Sequence, residues 1–137
     1  MGEIFTTLAL VALGGALGSA ARVLVAQFVT QWLGDAFPWG TLVVNVSGAL
    51  MIGAMVPALT DIQSLTDGRA APPGAALLIV GLVGSYTTVS SFSLQTLALI
   101  EEGAWRAVIG NVLGSVLLCL AAVFLAAAAV SALMGAG

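Results

Sequence analysis

Apolar residues run along this chain in four long stretches separated by short polar interruptions. The stretches cover residues of about 4–33, 39–59, 74–100 and 104–133, and each reaches the roughly 20 apolar residues that a membrane-crossing helix needs. The first is longer than a bilayer requires, so it crosses with tilt and projects slightly. Gly34-Asp-Ala-Phe-Pro38 reads as a turn, with Pro38 opening the next helix. The longest loop runs from Thr60 to Pro73 and carries Asp61, Asp67, Arg69 and two consecutive prolines; Glu101-Glu-Gly103 is a tight turn. The pattern predicts an all-α integral membrane protein, with residues 1–137 forming one four-helix transmembrane domain.

The third stretch departs from the others. Between Gly81 and Ser93 it holds two glycines three residues apart, Gly81 and Gly84, then Ser85, Tyr86, Thr87, Thr88, Ser90, Ser91 and Ser93. So many hydroxyls gain nothing in a bilayer unless they face another helix, a cavity or a permeating solute. The glycines followed by Ser-Tyr-Thr-Thr also predict a break in the third helix at mid-membrane depth. Non-helical backbone is tolerated there only where protein or water covers it, so the segment points to a pathway.

Composition narrows the classes. The chain is 61% hydrophobic and 7% charged, with a mean hydropathy of +1.17, too oily to surround a water-soluble core. Its net charge of −3 gives no nucleic-acid footprint. Cys119 stands alone in an apolar run, which excludes an intramolecular disulfide, and there is no histidine, which argues against zinc and haem. The N-terminus lacks the positive region of a signal peptide, so the first span is expected to be retained. No hydrolytic dyad or triad can be assembled, so the chain is not expected to be an enzyme. A small four-span multidrug-type transporter would need an acid within a span, and none is present. A passive pore for a small ion remains, with a purely structural assembly subunit as its rival.

Orientation is balanced. Four crossings put both termini and the Thr60–Pro73 loop on one side, with the two short turns on the other. Arg69 lies on the first side and Arg106 borders the second, while Arg22 falls within a span. The positive-inside rule therefore selects no orientation. Either other determinants set the topology, or the chain inserts both ways and pairs with an inverted copy of itself. Gly14-Gly-Ala-Leu-Gly18 and Gly110-Asn-Val-Leu-Gly114 are small-xxx-small patterns that let helix backbones approach closely, as in a compact, oligomeric bundle.

Several polar residues have two readings each. Asn45, with Thr41 one turn earlier on the same face, orients a solute or bonds across helices. Arg22 serves a water-filled vestibule or snorkels to an interface. Phe92 offers an electropositive ring edge to an anion or simply packs. Asn111 and Ser115 share a face that Cys119 continues, and that stripe is placed to meet the polar cluster of the third span. Hydroxyls serve either sign of ion, so they do not decide which one passes.

Taken together, Gly14-Gly-Ala-Leu-Gly18 with Arg22, Pro38-Trp-Gly-Thr-Leu-Val-Val-Asn45 with Gly48, and Gly84-Ser-Tyr-Thr-Thr-Val-Ser-Ser-Phe92 resemble the signature regions of the Fluc/CrcB family of small bacterial fluoride channels. The resemblance covers essentially the whole chain. It implies an antiparallel dual-topology dimer in the bacterial inner membrane, with a second, inverted copy as partner, surrounded by lipid. It implies passive export of cytoplasmic fluoride through two pores and one central structural sodium ion. By the same resemblance, main-chain carbonyls of Gly84 and Thr87 hold the sodium. Asn45 is the pore asparagine, Ser90, Ser91 and Ser93 form a polar track, Ser115 is the fourth-helix serine, and Phe92 is a pore aromatic. Two positions depart from the family pattern. Val89 stands where a first phenylalanine is usual, and Gln95 where many members carry glutamate. Either an aliphatic side chain serves at 89, or the chain is one subunit of a heterodimer whose partner supplies the aromatic.

Overall fold

The computed structural model describes residues 2–59 and 72–135. The expected loop with Asp61, Asp67 and Arg69 lies almost wholly outside the described residues. Among those described, helices long and apolar enough to cross a membrane form four spans: Gly2–Leu33, Trp39–Leu59, Pro73–Glu101 and Trp105–Gly135. Their ends fall within two residues of the expected boundaries, the range over which helix termini fray.

Helix α1 is Gly2–Leu33 and α2 is Trp39–Leu59. Gly34 between them has φ +81°, a left-handed conformation that a side chain would resist, and its N–H closes on the Thr30 carbonyl at 2.9 Å. Pro38 precedes α2 and accepts its first helical bond from Leu42 N–H at 3.1 Å. The third span is composite. Its first part, α3, occupies residues 73–86: an opening turn Pro73–Ala75, a wide-wound π segment Ala76–Val83 and a closing turn Gly84–Tyr86. Pro73, expected at the end of the loop, instead sits in the first turn, where the missing N–H loses nothing. Extended backbone at Thr87 (ψ 158°) and Thr88 (φ −151°, ψ 124°) follows, and then α4, Val89–Glu101. The turn through Gly103, at φ +71°, leads into α5, Trp105–Gly135.

Glycines let these helices touch backbone to backbone. A Cβ added at Gly14 or Gly18 would collide with the main chain of the π segment, at the carbonyl oxygens of Leu77 and Leu82 respectively. The first small-xxx-small pattern therefore packs α1 against α3 within the chain. The second has no such role, since a Cβ at Gly114 would meet nothing. α2 packs mainly against α5, where Gly53 approaches the Val123 carbonyl. The interior holds Val44 and Val83 but also Thr41, Thr88, Asn111 and Ser115, while Phe5, Leu17, Phe28, Leu117, Phe124 and Leu125 lie exposed. Polar groups inside and oily ones outside reverse the soluble arrangement and suit a hydrocarbon solvent.

Candidate functional site

The extended residues between α3 and α4 are held by α2. Asn45 Nδ2 donates to the Thr88 carbonyl at 2.9 Å, and Thr88 N–H donates to Asn45 Oδ1 at 2.8 Å. One side chain thus satisfies both main-chain groups of a residue that lies outside any helix, as a low-dielectric setting demands. Of the two readings open for Asn45, cross-helix bonding is realised, and one amide N–H remains for a further acceptor. The Thr88 side chain caps α4. Its Oγ1 accepts from Ser91 N–H at 3.2 Å, donates to Ser91 Oγ at 3.2 Å, and lies 3.1 Å from Ser90 Oγ. Tyr86, at the end of α3, is fixed by a 2.9 Å bond between its hydroxyl and Ser47 Oγ.

These bonds redirect two N–H groups. In an uninterrupted helix, Thr88 N–H would close on the Gly84 carbonyl and Ser91 N–H on the Thr87 carbonyl. Here the first goes to Asn45 and the second to Thr88 Oγ1. Gly84 and Thr87 also line one open groove of about 420 Å³ together with Asn45, Ala49, Thr88, Val89 and Cys119. Val89 is 77% exposed there, so this position faces out of the chain's own fold rather than into its core.

On the other side of Thr88, Arg22 shares a smaller groove of about 260 Å³ with Gln27, Thr41, Thr88 and Ser91. Gln27 and Thr41 continue into a third groove, about 480 Å³, with Thr30, Gln31 and Gln95. The half-buried guanidinium therefore sits among hydroxyls and amides. Gln27, Thr30 and Gln31 were not singled out from the sequence, although their i, i+3, i+4 spacing on the last third of α1 marks one polar face. Thr88 was counted only as one hydroxyl among many. Nothing local distinguished it, since Thr87 stands in the same relation to Ser90 as Thr88 does to Ser91.

The remaining expected site residues are not gathered with these. Phe92 is half-buried on α4 and lines none of the three grooves; its carbonyl accepts from Thr96 Oγ1 at 2.7 Å. Ser93 is exposed, and Ser115 is buried on α5. The stripe on α5 meets the third span at two places: Cys119 lines the groove with Thr87 and Thr88, and Asn111 reaches one turn beyond the hydroxyl cluster. Asn111, 1% exposed, donates to Thr96 Oγ1 at 2.9 Å. Among the described residues no group of His, Cys, Asp or Glu is arranged to hold a metal ion.

Comparison with known proteins agrees in one direction. Residues 9–127 match the family described as CrcB-like protein, Camphor Resistance (CrcB). Among curated relatives, the fluoride-specific ion channel FluC of Opitutus terrae is 46% identical over 115 residues, covering 84% of this chain and 85% of the relative. That of Magnetococcus marinus is 46% identical over 118 residues, covering 86% and 92%. The fluoride-specific ion channel FluC 2 of Rhodopseudomonas palustris is 45% identical over 130 residues, covering 94% and 96%.

Proposed function

This chain belongs to the CrcB-like family, and on that premise we propose that it is a fluoride channel of the bacterial inner membrane that lets cytoplasmic fluoride leave down its gradient. The observation that carries the reading is the Asn45–Thr88 clamp within a span whose hydroxyls border open grooves, in a chain about 46% identical to proteins named for that activity. Fluoride is small and strongly hydrated, so a pore must replace its water with hydrogen-bond donors. The second N–H of Asn45 and the hydroxyls of Thr41, Ser90, Ser91, Ser93 and Ser115 are such donors. Phe92 adds a ring edge of positive partial charge, and Arg22 raises the local concentration of anions at the mouth of the path.

The working unit in this proposal is an inverted homodimer with two pores. The one groove that leaves Gly84, Thr87 and Val89 on the outside of one subunit supports it, because polar backbone at membrane depth needs a protein or water cover. The Gly84 and Thr87 carbonyls fit a sodium ion. Hard cations take oxygen ligands, and the N–H groups that would compete for these two oxygens are directed elsewhere. When bound, the ion supplies fixed positive charge at the break. Residues 87 and 88 are then the point at which the third helix opens within the membrane.

Purified protein reconstituted into liposomes should release entrapped fluoride while retaining entrapped chloride. Retention of both ions would sink the reading and favour a structural subunit, or one that conducts only with a different partner.

A further inference from the structure

We propose that Asn45 and Thr88 are positioning residues for the cation site, and that they create it by capturing the two N–H groups that would otherwise close helical turns on the Gly84 and Thr87 carbonyls. The inference rests on the fluoride-channel reading, from which the sodium ion comes, and adds to it a task for two side chains that provide none of the ion's ligands. Asn45 stands on α2, outside the segment it interrupts, and binds Thr88 through both polar atoms of its amide. Thr88 then extends the interruption by holding Ser91 N–H on its own hydroxyl. The two captures act in series on consecutive turns. Without them, residues 87 and 88 can wind into continuous helix, since the preceding turn already ends with Thr87 N–H on the Val83 carbonyl at 3.1 Å. Winding on would place Thr88 N–H on the Gly84 oxygen and Ser91 N–H on the Thr87 oxygen, directing both carbonyls along the helix axis and away from the groove.

Asn45, Gly84, Thr87 and Thr88 line the same groove, so the side chains that set the break and the oxygens it exposes are neighbours. This arrangement couples the pore to the cation site through one residue. The Asn45 amide binds Thr88 with one N–H and its oxygen, and its second N–H is left for the conduction path.

Thermal unfolding of the detergent-solubilised protein, followed by tryptophan fluorescence, tests the inference when sodium is titrated against potassium at constant ionic strength. Thr88→Val keeps the shape but loses the capping oxygen, and should need about tenfold more sodium for half-maximal stabilisation, the factor that about 1.4 kcal/mol of lost preorganisation gives. Thr88→Ser, which keeps the hydroxyl, should restore the unsubstituted response. Asn45→Leu should shift it at least as far as Thr88→Val. A merely structural role lowers the unfolding midpoint equally with and without sodium and leaves the half-saturating concentration unchanged, which would overturn the proposal. If Asn45→Leu cannot be purified, the Thr88 pair decides alone. Absence of any sodium-specific stabilisation in the unsubstituted chain overturns the cation site and this inference together, whereas fluoride release from liposomes is judged by its own assay.

Discussion

Val89 and Phe92 are one helical turn apart on α4, yet the two side chains meet different surroundings. Val89 is 77% exposed on a groove that opens outward, whereas Phe92 is half-buried within the chain's own fold. A larger side chain at 89 therefore displaces nothing within the subunit, and Val89→Phe should keep or increase fluoride release. Phe92→Ile removes a ring edge and should slow release by about fivefold, the equivalent of roughly 1 kcal/mol of aromatic-edge interaction. Both are read as initial efflux rates from liposomes, with size-exclusion elution as the check on assembly. A normal rate for Phe92→Ile would remove this ring from the conduction path and leave it a packing residue. A collapse of flux in Val89→Phe would show that an aliphatic surface is required at 89, and the heterodimer reading would lose its motive.

Helices α4 and α5 are joined by a bond that neither end can easily replace. Asn111 is 1% exposed and donates to Thr96 Oγ1, which in turn donates to the Phe92 carbonyl. Thr96→Val leaves a buried amide without its acceptor and should destabilise the bundle by about 1–3 kcal/mol. Thr96→Val combined with Asn111→Leu should recover most of that loss, because replacing both partners by apolar groups removes the unmet polarity. Unfolding in a denaturing detergent series measures both. Elements of this kind were only partly legible in the sequence. Helix ends and turns were legible because glycine, proline and charge punctuate them locally, as at Gly34, Pro38 and Gly103. The extended backbone at Thr87 and Thr88 falls among hydroxyls that a lipid-facing helix would not carry. The π winding of Ala76–Val83 was not foreshadowed. Its residues are ordinary apolar ones, and the partner it packs against, the Gly14–Gly18 surface of α1, lies more than fifty residues away. Likewise, seven side-chain hydroxyls looked alike in sequence, and only tertiary contact with Asn45 singles out Thr88.

For the whole molecule, the balance of charge becomes a mechanical requirement. Arg106 is exposed beside the turn after α4, and Arg69, outside the described residues, is expected from the sequence on the opposite side, so one arginine stands against another. An inverted pair needs both orientations in one membrane, and a bias in either direction starves it of partners. Asp35→Lys with Glu101→Lys alters residues exposed at the two short turns and adds two cations to the side of Arg106. Glu3→Lys with Gly135→Lys adds two at the opposite face, where both residues are exposed at helix ends. Each doubly substituted chain expressed alone should insert one way and release little fluoride, with accessibility of a terminal tag to externally added protease reporting the orientation. Co-expression of the two should restore release, because each then supplies the orientation the other lacks. Full activity from either chain alone, with its orientation shown to be uniform, would exclude the inverted homodimer. The groove at Gly84, Thr87 and Val89 would then have to be covered by a parallel neighbour or by water.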